Sequence, residues 1–171
     1  LRRVLLSSLQ GAAISHIAIE GALHEFTSLP GVVEDVTDII LNLKDVVLTS
    51  TSDEDVIVRL DVRGPATVTA GDIKTPSEIE ILNKDLVVAT LNSKARLAVD
   101  LTVGRGRGYL SSDRDSGNRT IGVVPIDAIF SPVRRVMFEI EPTRVEQSTN
   151  FERLIIDIET AGSISPRVAL A

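Results

Sequence analysis

Between Asp45 and Val103 the sequence repeats one pattern: short runs rich in valine, isoleucine and leucine, each closed by glycine, proline, asparagine, aspartate or a polar loop. The runs are Asp45 to Ser50, Val56 to Val62, Ala66 to Thr69, Glu78 to Leu82, Leu86 to Leu91 and Leu97 to Val103. Residues branched at Cβ suit a pleated, half-buried surface, and frequent breakers keep each run short, so the pattern predicts an antiparallel, β-rich unit. The first two runs flank the polar loop TSTSDED and read as a hairpin. Ahead of them, Ile17 and Ile19 alternate with His16, Ala18 and Glu20, as on a strand with one buried face.

A helix interrupts this pattern. The stretch GALHEFTSLPGVVEDVTDIILNLK (21–44) turns at Pro30-Gly31 and then places Val32, Val36, Ile39, Ile40 and Leu43 at helical spacing. Glu34, Asp35 and Asp38 fall in the first turns and Lys44 at the end, each on the side that the helix macrodipole favours. Leu41 lies off the apolar stripe, where a helix packed on one side leaves it in water and open to a second partner.

Beyond the loop-like SSDRDSGN (111–118), strand character returns at Ile121 to Val124 and is broken at Ser131-Pro132. Val136, Phe138 and Ile140 then alternate with Arg135, Met137 and Glu139, and Leu154, Ile156 and Ile158 with Arg153, Ile155 and Asp157, giving a second pair of amphipathic strands. The linking PTRVEQSTNFE is polar and reads as longer than a tight turn. Leu1 to Ser8 forms a helical segment with an apolar face, and Ser165-Pro166 places a capping residue before proline at a helix's first position. Neither helix is complete, so both ends of the chain read as cuts through helices.

The composition narrows the function. Hydrophobic residues make up 43% of the 171 positions but aromatics only 3%, so the core is aliphatic and pockets built on aromatic stacking are disfavoured. Eighteen basic against 24 acidic residues give a formal charge of −6, which argues against a broad phosphate-binding surface and hence against nucleic acid as a direct partner. Without cysteine there is no disulfide framework or thiol nucleophile. No apolar run approaches the roughly 20 residues of a membrane span and no signal peptide opens the sequence, so the expected location is cytoplasmic.

Catalytic patterns fail on local grounds, and no cofactor or metal is expected. His16 and His24 stand without the spacing of a metal site, and Ser7-Ser8 has no nucleophile elbow. The run GRGRG (104–108) follows a strand but opens no helix, so it reads as a strand end or bulge, or as arginines placed for a partner protein, in preference to a phosphate cradle. Asp113-x-Asp115-x-Gly117 departs from a calcium loop, and Asn118-Arg119-Thr120 matches a glycosylation acceptor without a secretory context. An assembly protein therefore leads, with a stand-alone β-rich ligand-binding module as the alternative.

The wording of several segments carries more. LRRVLLSS at the start, LHEF and PGVVEDVTDIILNLK, then GPATVTAGDI (64–73), VATLN (88–92), GRGRGYL (104–110), IGVVPIDAIFSPVRRV (121–136), TRVEQSTNFERLIIDIET (143–160) and SISPRVALA (163–171) occur in that order. In this the chain resembles the amino-terminal domain of the bacterial RNA polymerase alpha subunit. The resemblance implies an α+β fold with a mainly antiparallel β domain, 11–131, inserted into a discontinuous dimerisation domain formed by 1–10 and 132–171. It implies a non-catalytic subunit that dimerises with a second alpha subunit and recruits the beta and beta-prime subunits, nucleotidyl transfer belonging to the assembled enzyme. It also implies docking residues: Arg3, Leu6 and Lys44 toward beta, and Ile126 and Asp127 toward beta-prime. Arginine's planar fork and apolar stem suit an interface. Lys44 equally suits a solvated surface, and Asp127 a loop residue ordering its own backbone.

Overall fold

A computed structural model describes residues 1–115 and 120–171. The short helix α1 (Arg2–Ser7) leads into the long strand β1 (Gln10–Ile19), and an irregular segment leads to α2 (Val36–Lys44). Eight strands follow: β2 (Leu48–Ser50), β3 (Val56–Arg63), β4 (Ala66–Thr69), β5 (Ile73–Lys74), β6 (Ile79–Ile81), β7 (Val87–Leu91), β8 (Arg96–Arg107) and β9 (Tyr109–Leu110). Then come β10 (Val124–Pro125), β11 (Ala128–Ile129), the long pair β12 (Val133–Val145) and β13 (Ser148–Thr160), and α3 (Pro166–Leu170). All strand pairs are antiparallel, as the aliphatic runs predict, and the fold class is α+β.

The largest sheet has the order β10-β1-β8-β3-β5. Its inner face and the apolar stripe of α2 (Val36, Ile39, Ile40, Leu43) enclose an aliphatic core that includes Leu60, Val99 and Leu101. A second, smaller cluster gathers Leu5, Val133, Val136 and Ala169 from both ends of the chain. Ser15 bulges out of β1, where the register shifts between Ile14 and His16, and its carbonyl accepts the Ile126 N–H at 2.9 Å. That bond draws the β10–β11 segment onto the edge of the sheet.

The structure departs from the sequence reading at four places. Helix α2 begins at Val36, not at Val32. Val32 bridges Leu91, and the Glu34 carboxylate accepts the Thr90 N–H (2.6 Å) and hydroxyl (3.0 Å), so β7 recruits what would have been the first turn. The runs at 45–50 and 56–62 are not a hairpin, because β2 pairs with β6 and β3 with β8 and β5.

The connection between β12 and β13 is a tight turn: pairing continues to Val145↔Ser148, and Glu146 takes up the reversal at φ 54°. Polar residues on a strand exposed on both faces had the look of a loop. Finally, GRGRG is a strand end, as one reading expected, but not a bulge: residues 104–107 close β8 in regular pairing, with Gly106 opposite Gly11 and Gly104 opposite Ala13. A Cβ on Gly106 would stand 2.9 Å from the Phe130 ring, and one on Gly11 would fall on the Phe130 carbonyl oxygen. These glycines admit Phe130 where the chain passes from β11 to β12. Arg105 is occupied within the fold, bonding Asp53 at 2.6 Å and Gln10 at 3.1 Å.

A smaller difference lies at 121–124, where Ile121 and Gly122 form a turn and only Val124 enters a strand, β10. Ser165 caps α3, accepting the Val168 N–H at 3.3 Å, and Leu41 is exposed. Asn118 and Arg119 of the glycosylation pattern and Gly117 of the calcium-like pattern lie outside the described residues.

Candidate partner-docking surfaces

Asp127 sits between β10 and β11, and Lys44 closes α2, where a cation complements the negative end of the helix. The Lys44 ammonium lies 3.3 Å from Asp127 Oδ2, and the Ser112 N–H donates to Asp127 Oδ1 at 3.0 Å. The Ser112 amide, seconded by Lys44, holds the Asp127 carboxyl down to about 2, against the opposing effect of partial burial. Both side chains stay about one-third exposed, at 30% and 34%. Lys44 stands between two concavities. One, of about 310 Å³, runs beside Gly11, Phe130 and Arg134; the other, of about 200 Å³, lies beside Leu41, Pro125 and Asp127.

Ile126 does not share this exposure. It is 5% exposed and packs in the main core, so its side chain does not lie on the surface that a partner would meet.

Arg3 and Leu6 lie on α1. Leu5 is the buried anchor, Leu6 packs half-buried against the small cluster, and the Arg2 Nε–H donates to the Val136 carbonyl at 2.9 Å, fixing the helix across β12. Arg3 is exposed and stands at the rim of an apolar groove of about 330 Å³ lined also by Val136, Phe138, Ile140, Leu154 and Ile156. These five residues share one face of the β12–β13 pair. Helix α1 covers the Val136 end, while Phe138, Ile140 and Leu154 remain more than half exposed. The opposite face is salted, with Arg135 near Asp157 and Glu159 at 3.8 and 3.4 Å.

The structure thus joins Lys44 and Asp127, which the resemblance had assigned to different partners, and keeps Arg3 and Leu6 apart from them: among the described residues no hydrogen bond or ion pair links the two groups. Sequence reasoning missed Arg2 as the anchor and Ser112 as the second ligand of Asp127. It also missed the bare far end of the hairpin, although apolar residues continuing to Ile140 past the reach of a two-turn helix were the available signal.

Both histidines are engaged locally, His24 Nδ1 accepting the Phe26 N–H at 3.3 Å and His16 Nδ1 lying 2.9 Å from Ser15 Oγ. Among the described residues no three metal-ligating side chains cluster, and no helix is long and apolar enough to cross a membrane.

Comparison with known proteins adds to this geometry. The family described as RNA polymerase Rpb3/RpoA insert domain matches residues 17–131. The chain is 53% identical to the DNA-directed RNA polymerase subunit alpha of Kineococcus radiotolerans, over 100% of this chain and 51% of that protein. The corresponding protein of Corynebacterium efficiens is 54% identical over 100% and 51%, and that of Frankia casuarinae 53% over 100% and 49%. The chain spans about half the length of these relatives.

Proposed function

The chain belongs to the family described as RNA polymerase Rpb3/RpoA insert domain, and from that premise we propose that it is the assembly portion of a non-catalytic RNA polymerase alpha subunit. Its work is to dimerise with a second alpha subunit and to present docking surfaces to the beta and beta-prime subunits, with templated nucleotidyl transfer carried out by the assembled enzyme in the cytoplasm. The observation that carries this is the match to alpha subunits at 53–54% identity in alignments that cover the whole chain, the two ends as well as the β-rich middle. A stand-alone ligand-binding module would have no reason to keep the ends.

The division into a dimerisation part (1–10 with 132–171) and an inserted part (11–131) is supported by two separate apolar clusters, one drawn from both chain ends and one from the middle. The bare apolar hairpin face suits dimerisation, because exposed apolar surface gains free energy when a partner excludes water from it. Arg3, exposed on an anchored helix beside an apolar groove, suits capture of a large subunit, since arginine joins a planar donor fork to an apolar stem.

The test uses the full-length subunit co-expressed with affinity-tagged large subunits. Arg3→Ala is expected to lower recovery of the beta subunit by about tenfold, the loss typical of an interface arginine, with an unchanged circular dichroism spectrum. Equal recovery of mutant and wild type would refute the role given to Arg3.

A further inference from the structure

We propose that Asp127 is a positioning residue: it fixes Lys44 and the turn at Ser112 as one surface element and makes no contact of its own with the partner. The proposal rests on the reading above that Lys44 belongs to a docking surface.

The two oxygens of Asp127 are engaged separately and within the chain. Oδ2 faces the Lys44 ammonium, which comes from α2, and Oδ1 accepts the Ser112 N–H, which comes from the other side of the β9–β10 connection. One carboxylate therefore ties three segments that are distant in sequence, and the residue before it, Ile126, is buried. Lysine has a long flexible stem and three ammonium donors. Asp127 takes one of these donors, which leaves two for an acceptor outside the chain. The ridge position of Lys44 between two concavities keeps them accessible.

Holding a flexible cation in its bound position before the partner arrives removes an ordering cost that would otherwise oppose binding. The group this arrangement recognises is an acceptor, a carboxylate or a main-chain carbonyl, on the incoming subunit. A second carboxylate contact from Asp127 itself is not needed.

The experiment is a double-mutant cycle in the full-length subunit co-expressed with tagged large subunits, using Lys44→Met, Asp127→Asn, Asp127→Glu and the Lys44→Met/Asp127→Asn pair. Asparagine keeps the shape and an acceptor for the Ser112 N–H, so the fold is retained, and the Ser112 amide signal in serine-labelled protein checks this directly. Each single neutral variant is expected to lower recovery of the large subunits by about tenfold, the double variant no further than Lys44→Met alone, and Asp127→Glu to restore most of the loss.

Multiplying losses in the double variant would overturn the proposal, because Asp127 would then act independently of Lys44. If Lys44→Met weakens capture and Asp127→Asn does not, the docking surface stands and the positioning role is overturned. If neither changes recovery, the docking reading of Lys44 fails and the proposal fails with it.

Discussion

Asp127 titrates at about 2 in the folded chain, whereas an unfolded aspartate titrates near 3.9, so folding gains from keeping this group ionised. The folded value is the lower one. The contribution is therefore fully present above about pH 5 and is lost as pH falls through the unfolded value and on through about 2. Urea unfolding at constant ionic strength between pH 7 and 2 should show a wild-type advantage over Asp127→Asn that is constant above about pH 5 and shrinks steadily below it. A difference that does not vary with pH would mean that the charge is not what matters. Gly106 shows a different constraint at the same scale, since the ring its Cβ would strike belongs to Phe130, whose own N–H is bonded to Gly108 at 2.9 Å. That bond fixes the Phe130 backbone, and the side chain is buried at 7% exposure, so the ring has little room to turn aside. Gly106→Ala should cost about 1–3 kcal/mol in chemical denaturation, as overpacked sites do.

At the scale of elements, α2 is held less by its own capping than by Glu34, which stands just before it and binds both polar groups of Thr90 on β7. Asp35, at the cap position, makes no side-chain cap bond. Glu34→Ala should therefore leave the Thr90 N–H unpaired and cost about 1–3 kcal/mol, with faster hydrogen exchange at the Thr90 amide as the local signature. The same contact shows why the start of α2 was hidden from periodicity: Val32 fits the apolar stripe of a helix but is taken by a bridge to Leu91, 59 positions ahead by number. Strand existence was legible wherever aliphatic residues clustered, as at Ala66–Thr69 and Leu86–Leu91, because that depends on local composition. Strand pairing was not, since β2 reaches past β3 to β6 and nothing in the 45–62 segment encodes that partner. The β12–β13 turn escaped for a related reason: its strands run beyond the covered part of the molecule, so their tips are exposed on both faces and mostly polar, without the alternation that marks a half-buried strand.

For the whole molecule, the division at 11 and at 131–132 comes from the resemblance, with the break at Ser131-Pro132 agreeing with it, and the two apolar clusters fall on either side of it. The docking residues were legible only through resemblance. Lys44 and Asp127 are 83 positions apart, and no local pattern shows that they share a surface. An apolar feature without a partner at this scale is the half of the hairpin face that α1 does not reach. Burying a large aliphatic or aromatic side chain is worth about 1.5–3 kcal/mol, and Phe138, Ile140 and Leu154 are 58%, 53% and 55% exposed. Their combined gain is comparable to the roughly 4–15 kcal/mol that association costs in lost freedom, so the 171-residue chain should associate weakly and reversibly through this face. Light scattering should then give a mass that rises with concentration above the 18.4 kDa of one chain. Phe138→Asp combined with Leu154→Asp places two charges on the face at sites already in water, where substitutions shift stability by only about 0.5 kcal/mol. The variant should stay folded and hold the single-chain mass at every concentration. If it associates as the wild type does, the contact lies elsewhere, and the exposed outer sides of α1 and α3, at Val4 and Val168, are the next surfaces to charge.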